Sequence, residues 1–333
     1  MKLHRQLTRF ATPTLSLLLT LTTAVTAAAQ APAPPANTPN NGAPPPGFTS
    51  EELLWPHGAP LAAGTEQEDQ PRLYCYPAAG NGLHAAVVVL PGGGYTHLVN
   101  EKEGAAEARW LNAHGVSAYI LQYRLSPRYQ YPAPMLDGIR AVRFVRAHAQ
   151  AWGIRPEAIG VWGFSAGGHL SGYLATVDPH AQPALPGNAA YTPDEIDNQS
   201  ARPDFAILSY ARLSLDSSIP GTFGMESILG KTPPQSQVDA ISPILHVTAE
   251  SAPSFIYATE RDEKVNSQNA TLFFNALQRA GVPAELHVFE LGPHGTGLGQ
   301  SIKGAPELAV WPLLLQNWMA AHGWMAPPPT TLQ

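Results

Sequence analysis

One cysteine, Cys75, stands in a chain of 333 residues. A lone thiol excludes an intrachain disulfide and any zinc site built on a cysteine cluster. A chain this long buries enough core to hold together without cross-links. Cys75 sits in Arg72-Leu73-Tyr74-Cys75-Tyr76, which reads as a strand, so it is expected as a small buried apolar side chain rather than a nucleophile. Charge is scarce as well: 13% of residues are Asp, Glu, Lys or Arg, and the formal net charge is −6. An acidic chain of this kind argues against nucleic acid and anionic membranes as partners. No Gly-Lys-Ser or Gly-Lys-Thr follows the glycines at 92–94 and no G-x-G-x-x-G occurs, which sets aside a nucleotide phosphate loop. There is no internal repeat.

A long apolar run is missing too. Leu15 to Leu21 is a short apolar stretch diluted by threonine, too short to span a bilayer comfortably. It follows Lys2, Arg5 and Arg9 and precedes Ala27-Ala28-Ala29, the order of charge, apolar centre and small residues that marks a cleavable export signal. There is no twin-arginine pair, and no cysteine follows to carry a lipid. Residues 1–29 are therefore expected as a signal peptide of a secreted or periplasmic protein. Losing those three cations takes the formal charge from −6 to −9. Residues 30–50, with Ala31-Pro32-Ala33-Pro34-Pro35 and Pro44-Pro45-Pro46-Gly47, read as a disordered Pro-rich linker. A single domain is expected over 51–323, and a flexible tail over 324–333.

Within the domain, short apolar runs alternate with helical patterns. His84–Leu90 is nearly all apolar, as a strand buried on both faces must be. A helical pattern from Glu103 to His114 closes at Gly115, and Val116–Tyr123 reads as a strand. Pro134–Trp152 reads as an amphipathic helix with Ile139, Val142 and Val145 inward and Arg140, Arg143 and Arg146 outward. Strands follow at Phe205–Tyr210, Ser254–Thr259 and Glu285–Phe289, with helices over Gln268–Ala280 and from Trp311. This alternation predicts the α/β class: a doubly wound, mostly parallel sheet with helices on both faces. Two stretches, Asp178–Arg202 and Ala211–Ala252, break the alternation and are expected to cover the strand ends where ligands bind.

The chemistry centres on Gly163-Phe164-Ser165-Ala166-Gly167, between a β-branched run and a helical pattern. A serine on so sharp a strand-to-helix turn presents its hydroxyl away from the sheet. That hydroxyl needs a base, a histidine held by a carboxylate. Of 12 histidines, His294 stands in a small-residue loop directly after the last strand, at the same sheet edge. His84 and His287 lie in or beside strands, and His114, His148 and His322 near helix ends. His169, one helical turn beyond Ser165, is read as supporting the turn. The carboxylate should follow the preceding strand, where Glu260, Asp262 and Glu263 all stand. Asp262 is preferred, being short and followed by Val265 as an anchor, with Glu260 and Glu263 as alternatives. Backbone N–H groups of Gly93, Gly94 and Ala166 are the expected donors to an oxyanion, and glycine lets the backbone approach substrate closely.

Taken together, Pro91-Gly92-Gly93-Gly94-Tyr95, Tyr123-Arg124-Leu125, Asp137-Gly138-x-Arg140, Gly163-Phe164-Ser165-Ala166-Gly167-Gly168-His169, Ser242-Pro243 and Gly292-x-His294-Gly295 resemble the α/β-hydrolase serine esterases. The similarity is to bacterial secreted acetylxylan and feruloyl esterases. It covers nearly all of residues 50–323 and departs from the family after the acid, where Asn266 replaces a proline. It implies an α/β-hydrolase fold, removal of acetyl and perhaps feruloyl groups from plant-cell-wall sugars, and neither metal nor organic cofactor. Arg124, Asp137 and Arg140 match family positions as structural ion pairs. Three rivals are a short-chain carboxylesterase or lipase acting on small esters, a prolyl-oligopeptidase-like peptidase without its propeller, and an inactive binding protein. Oligomeric state is not legible in the residues.

Overall fold

The computed structural model describes residues 43–181, 191–220 and 225–327. The expected signal peptide and residues 30–42 of the expected linker lie outside them. The described residues form one eight-stranded sheet from β1 (Ser50–Leu53), β2 (Arg72–Tyr76), β3 (His84–Leu90), β4 (Ser117–Gln122), β5 (Ile154–Phe164), β6 (Phe205–Ser209), β7 (Ser254–Thr259) and β8 (Ala284–Phe289). The order is β1-β2-β4-β3-β5-β6-β7-β8, antiparallel where β2 meets β1 and β4 and parallel from β4 through β8.

β3 shows why the run from His84 is continuously apolar. Ala86, Val88 and Leu90 face one core, Ala85, Val87 and Val89 the other, and all are buried. The first core is closed by α2 (Ala133–Ala147), α3 (Ala166–Thr176) and α6 (Gln268–Arg279), and the second by α1 (Ala106–Ala113) and α7 (Trp311–Ala321). Each fully buried Val or Leu contributes roughly 1.5–3 kcal/mol. α6 starts where Asn266 Oδ1 accepts the Gln268 N–H at 2.9 Å and ends at Gly281, whose φ is +74°. Because α1 leads from β3 to β4 on one side and α2 leads to β5 on the other, the chain reverses direction across the sheet beside β3. In open sheets of this kind, ligands bind outside the strand ends at such a reversal.

Three expectations need correction. Arg140 and Arg143 do not point to solvent: both are buried. Residues 191–202 fold over that face of α2, so Arg140 forks onto Asp194 at 2.6 and 2.5 Å and Arg143 donates to the Gln199 carbonyl at 2.9 Å. The folded unit also starts before residue 51. Ala43 and Pro46 accept hydrogen bonds from Asn100 and Tyr76, at 2.8 and 2.9 Å, and β1 pairs with β2. Nor does it end at 323, since Trp324 stacks on Phe205 with ring centroids 4.2 Å apart and Met325 is buried. The irregular stretch after Ala211 carries two short helices, α4 (Met225–Leu229) and α5 (Gln235–Ala240).

Candidate active site

β5 ends at Phe164 and α3 begins at Ala166, leaving one residue, Ser165, to make the turn. Its backbone adopts φ +53°, ψ −112°, a strained conformation for a non-glycine residue. Two bonds hold it there: the Ser165 N–H donates to the Ser209 carbonyl at 3.1 Å, and the His169 N–H donates to the Ser165 carbonyl at 2.9 Å. The turn also brings Gly167 so close to β3 that a Cβ on it would lie 1.9 Å from the Leu90 carbonyl oxygen. Glycine at that place in the motif is therefore a packing requirement.

His294 lies in the loop after β8, and Asp262 in the loop after β7. Parallel pairing of β7 with β8 brings both loops to one sheet edge, and Thr259 Oγ1 donating to the Gly292 carbonyl at 2.9 Å ties them together. His294 Nε2 is 2.8 Å from Ser165 Oγ, and its Nδ1 is 2.7 Å from Asp262 Oδ2. A carboxylate only accepts, so Nδ1 carries the proton and Nε2 is left to accept from the serine hydroxyl. The other Asp262 oxygen accepts the N–H groups of Lys264 and Val265 at 2.8 and 2.9 Å. The remaining acids of that loop have other partners. Glu263 accepts from the His294 backbone N–H at 3.2 Å, and Glu260 from Ser267 Oγ at 2.6 Å.

The loop after β3 runs beside the nucleophile turn; a Cβ on Gly92 would lie 3.2 Å from Ser165 Cβ. The N–H of Gly92 is already used, donating to Glu103 Oε2 at 3.0 Å. Among the described residues none accepts from the N–H groups of Gly93, Gly94 or Ala166. Gly93 has φ +132°, and a Cβ there would meet the His97 carbonyl oxygen at 2.0 Å. Gly93 and Gly94 follow the glycine that lies against the serine, and Ala166 follows the serine itself. The arrangement can deprotonate an alcohol, direct it at a carbonyl carbon and receive the negative charge that develops on the carbonyl oxygen.

Two side chains around this centre, Glu103 and Tyr210, carry no motif, and Tyr95, read in the sequence only as part of its motif, has a contact of its own. Glu103 is buried between the Gly92 N–H and Tyr210, and the Tyr210 ring meets His294 edge-on with centroids 5.2 Å apart. Tyr95 reaches His169. The one sequence signal for Glu103 was an acid on the stripe Glu103, Glu107 and Leu111, whose spacing faces the core. Among the described residues no group of three His, Cys, Asp or Glu is arranged to hold a metal ion. No helix among them is long and apolar enough to cross a membrane.

Comparison with known proteins shows the family of the chain. Residues 73–277 match the BD-FAE family. The chain is 30% identical over 238 residues to an acetylxylan esterase of Xylanibacter ruminicola, spanning 70% of this chain and 45% of that protein. It is 31% identical over 228 residues to endo-1,4-beta-xylanase B of Butyrivibrio fibrisolvens, spanning 68% of this chain and 34% of that protein. It thus spans less than half the length of these two relatives. Among solved structures it is similar to an acetyl ester-xyloside bifunctional hydrolase from Caldicellulosiruptor lactoaceticus, with a TM-score of 0.74 and 33% identity, covering 83% of this chain and 97% of that one. A thermophilic esterase from Thermogutta terrifontis, 22% identical with a TM-score of 0.66 over 85% of this chain and 95% of that one, shares the fold. The chain belongs to the BD-FAE family, has the α/β-hydrolase fold, and resembles the acetylxylan esterases.

Proposed function

We propose that this protein is a serine carboxylester hydrolase that removes acetyl groups from plant-cell-wall carbohydrate such as xylan. The observation that carries the reading is the single relay from Asp262 through His294 to Ser165, with contacts of 2.7 and 2.8 Å. Ser165 Oγ attacks the ester carbonyl carbon while His294 Nε2 takes its proton. The oxyanion settles against the N–H groups of Gly93, Gly94 and Ala166, where each donor is worth about 3–4 kcal/mol in the transition state. His294 returns the proton to the departing alcohol, and the acyl group stays on Ser165. A water molecule, deprotonated by the same imidazole, then releases the acid.

The substrate class is supported by the relatives, one named an acetylxylan esterase and one an acetyl ester-xyloside hydrolase. Export fits a polymer substrate, and the signal-like residues 1–29 support it; feruloyl esters are the second acyl class to test. A second reading, a general short-chain carboxylesterase, is favoured by 30% identity over 261 residues to a probable carboxylic ester hydrolase of Mycobacterium tuberculosis, spanning 72% of this chain and 56% of that protein. Acetate release from acetylated xylan should be compared with hydrolysis of an aryl acetate, wild type against Ser165→Ala. Rapid, serine-dependent release from the polysaccharide is expected. Serine-dependent turnover of the aryl ester alone would favour the second reading.

A further inference from the structure

We infer that Glu103 is a positioning residue for this ester hydrolysis, holding the oxyanion loop and the base loop with one carboxylate. The inference rests on the proposed function. Glu103 sits in the turn of π-helix, Glu101–Ala105, that leads into α1, and it is 4% exposed. Oε2 accepts the Gly92 N–H at 3.0 Å, and Oε1 accepts the Tyr210 hydroxyl at 2.8 Å. The Tyr210 oxygen in turn accepts the Gly297 N–H at 3.0 Å, three residues past His294, while its ring packs edge-on against the imidazole. Among the described residues no cation forms an ion pair with Glu103 within 4 Å. A buried acid without a counter-ion is costly to keep, and of its two donors Gly92 lies against Ser165 and Tyr210 against His294.

The donors fix its charge state. Gly92 can only donate, and burial pushes the Tyr210 phenol well above its usual range, so it keeps its proton. Both bonds suit the carboxylate. Burial pushes the Glu103 carboxyl up, while the Tyr210 hydroxyl, His294 and the Gly92 N–H draw it back. The other groups facing it are Lys102 beside it, Glu107 one turn on, and Tyr123, whose hydroxyl is committed to the Pro91 carbonyl at 2.6 Å. An ionised Glu103 thus has two effects. It fixes the direction of the Pro91–Gly92 peptide, directly ahead of the oxyanion donors. It also adds a second negative charge beside His294, favouring the imidazolium that forms when Ser165 loses its proton.

The test is Glu103→Gln, close to isosteric, with kcat, KM and melting temperature measured on an aryl acetate from pH 4.5 to 9. A fall in kcat of about 10- to 100-fold with KM little changed is expected, since small misplacements at the reacting atoms cost this much. The acid limb of kcat should move to lower pH, because His294 loses a negative neighbour. Tyr210→Phe, which leaves the charge but removes the hydroxyl bridge, should lower kcat about 10-fold. Glu103→Asp should recover part of the activity and return the acid limb toward wild type. A Glu103→Gln profile that superimposes on wild type, or a lower kcat with an unmoved acid limb, overturns the inference and leaves the proposed function standing. Wild-type protein that hydrolyses no ester overturns both.

Discussion

The hydroxyl of Tyr95 lies 2.6 Å from Nδ1 of His169, and Nε2 of the same ring lies 2.6 Å from the Ile241 carbonyl oxygen. A carbonyl only accepts, so Nε2 carries the hydrogen and Nδ1 receives the phenol's proton. His169 therefore bridges three segments: the Gly92–Tyr95 loop, helix α3 one turn below Ser165, and the chain after α5. Tyr95 itself has φ +61°, a backbone conformation that this bond helps hold in place.

Burial pulls the His169 pKa down to about 4. The unfolded chain, with an ordinary histidine near 6.5, binds the proton first as pH falls. The stability that a neutral ring contributes is present above about pH 6.5 and is lost as pH falls toward 4, by about 3 kcal/mol over that window. Urea unfolding at pH 7 and pH 4.5 should show wild type losing more stability than His169→Gln. Equal losses in the two proteins would contradict the buried neutral ring.

Asp262→Asn should lower kcat about 10⁴-fold with little loss of stability, because an amide favours the wrong imidazole tautomer. Glu260→Gln and Glu263→Gln remove acids that do not touch the ring, and kcat should stay within about five-fold, since they leave that tautomer in place. Steady-state kinetics on the three variants decide the carboxylate. A severe loss in either glutamate variant, with Asp262→Asn nearly active, would reassign it.

Gly93→Ala should lose about 10²–10³ in kcat, the effect of one displaced oxyanion donor. The added methyl meets the His97 carbonyl oxygen, so the loop must shift. Covalent labelling of Ser165 by an organophosphate should slow in parallel, since its phosphoryl oxygen gathers negative charge against the same donors. Unchanged kcat would move the oxyanion site away from Gly93.

Asp137→Ala should lower unfolding free energy by about 3–5 kcal/mol, the cost of leaving a buried charge without its partner. Arg124 and Asp137 are both buried, 2.7 Å apart, and the Arg124 backbone N–H also donates to that carboxylate at 2.9 Å. Denaturant melts measure the loss, while kcat per folded molecule should hold.

Ser165 and His294 were legible because each obeys a local rule: a strand-to-helix turn that admits only glycine two residues to either side of the serine, and a small-residue loop after the last strand. The parallel core was legible for the same reason, since β3 is buried on both faces and its residues are apolar throughout. Asp262 could only be preferred over Glu260 and Glu263, because three acids in four residues share one loop and only the fold shows which carboxylate meets the ring. Arg140 and Arg143 misled because periodicity places charge on the outer face of a helix and says nothing of what covers that face. Glu103 and Tyr210 are 107 residues apart in sequence, and a contact of that separation leaves no trace in either neighbourhood.

The most direct measurement is the intact mass and peptide map of the protein after treatment with a dialkyl aryl phosphate such as paraoxon, which phosphorylates an activated serine hydroxyl. One dialkyl phosphoryl group on Ser165, with loss of ester hydrolysis in step with labelling and neither adduct nor activity in Ser165→Ala, is the expected result. Full hydrolytic activity in Ser165→Ala, or an adduct on another residue that alone abolishes turnover, would contradict it.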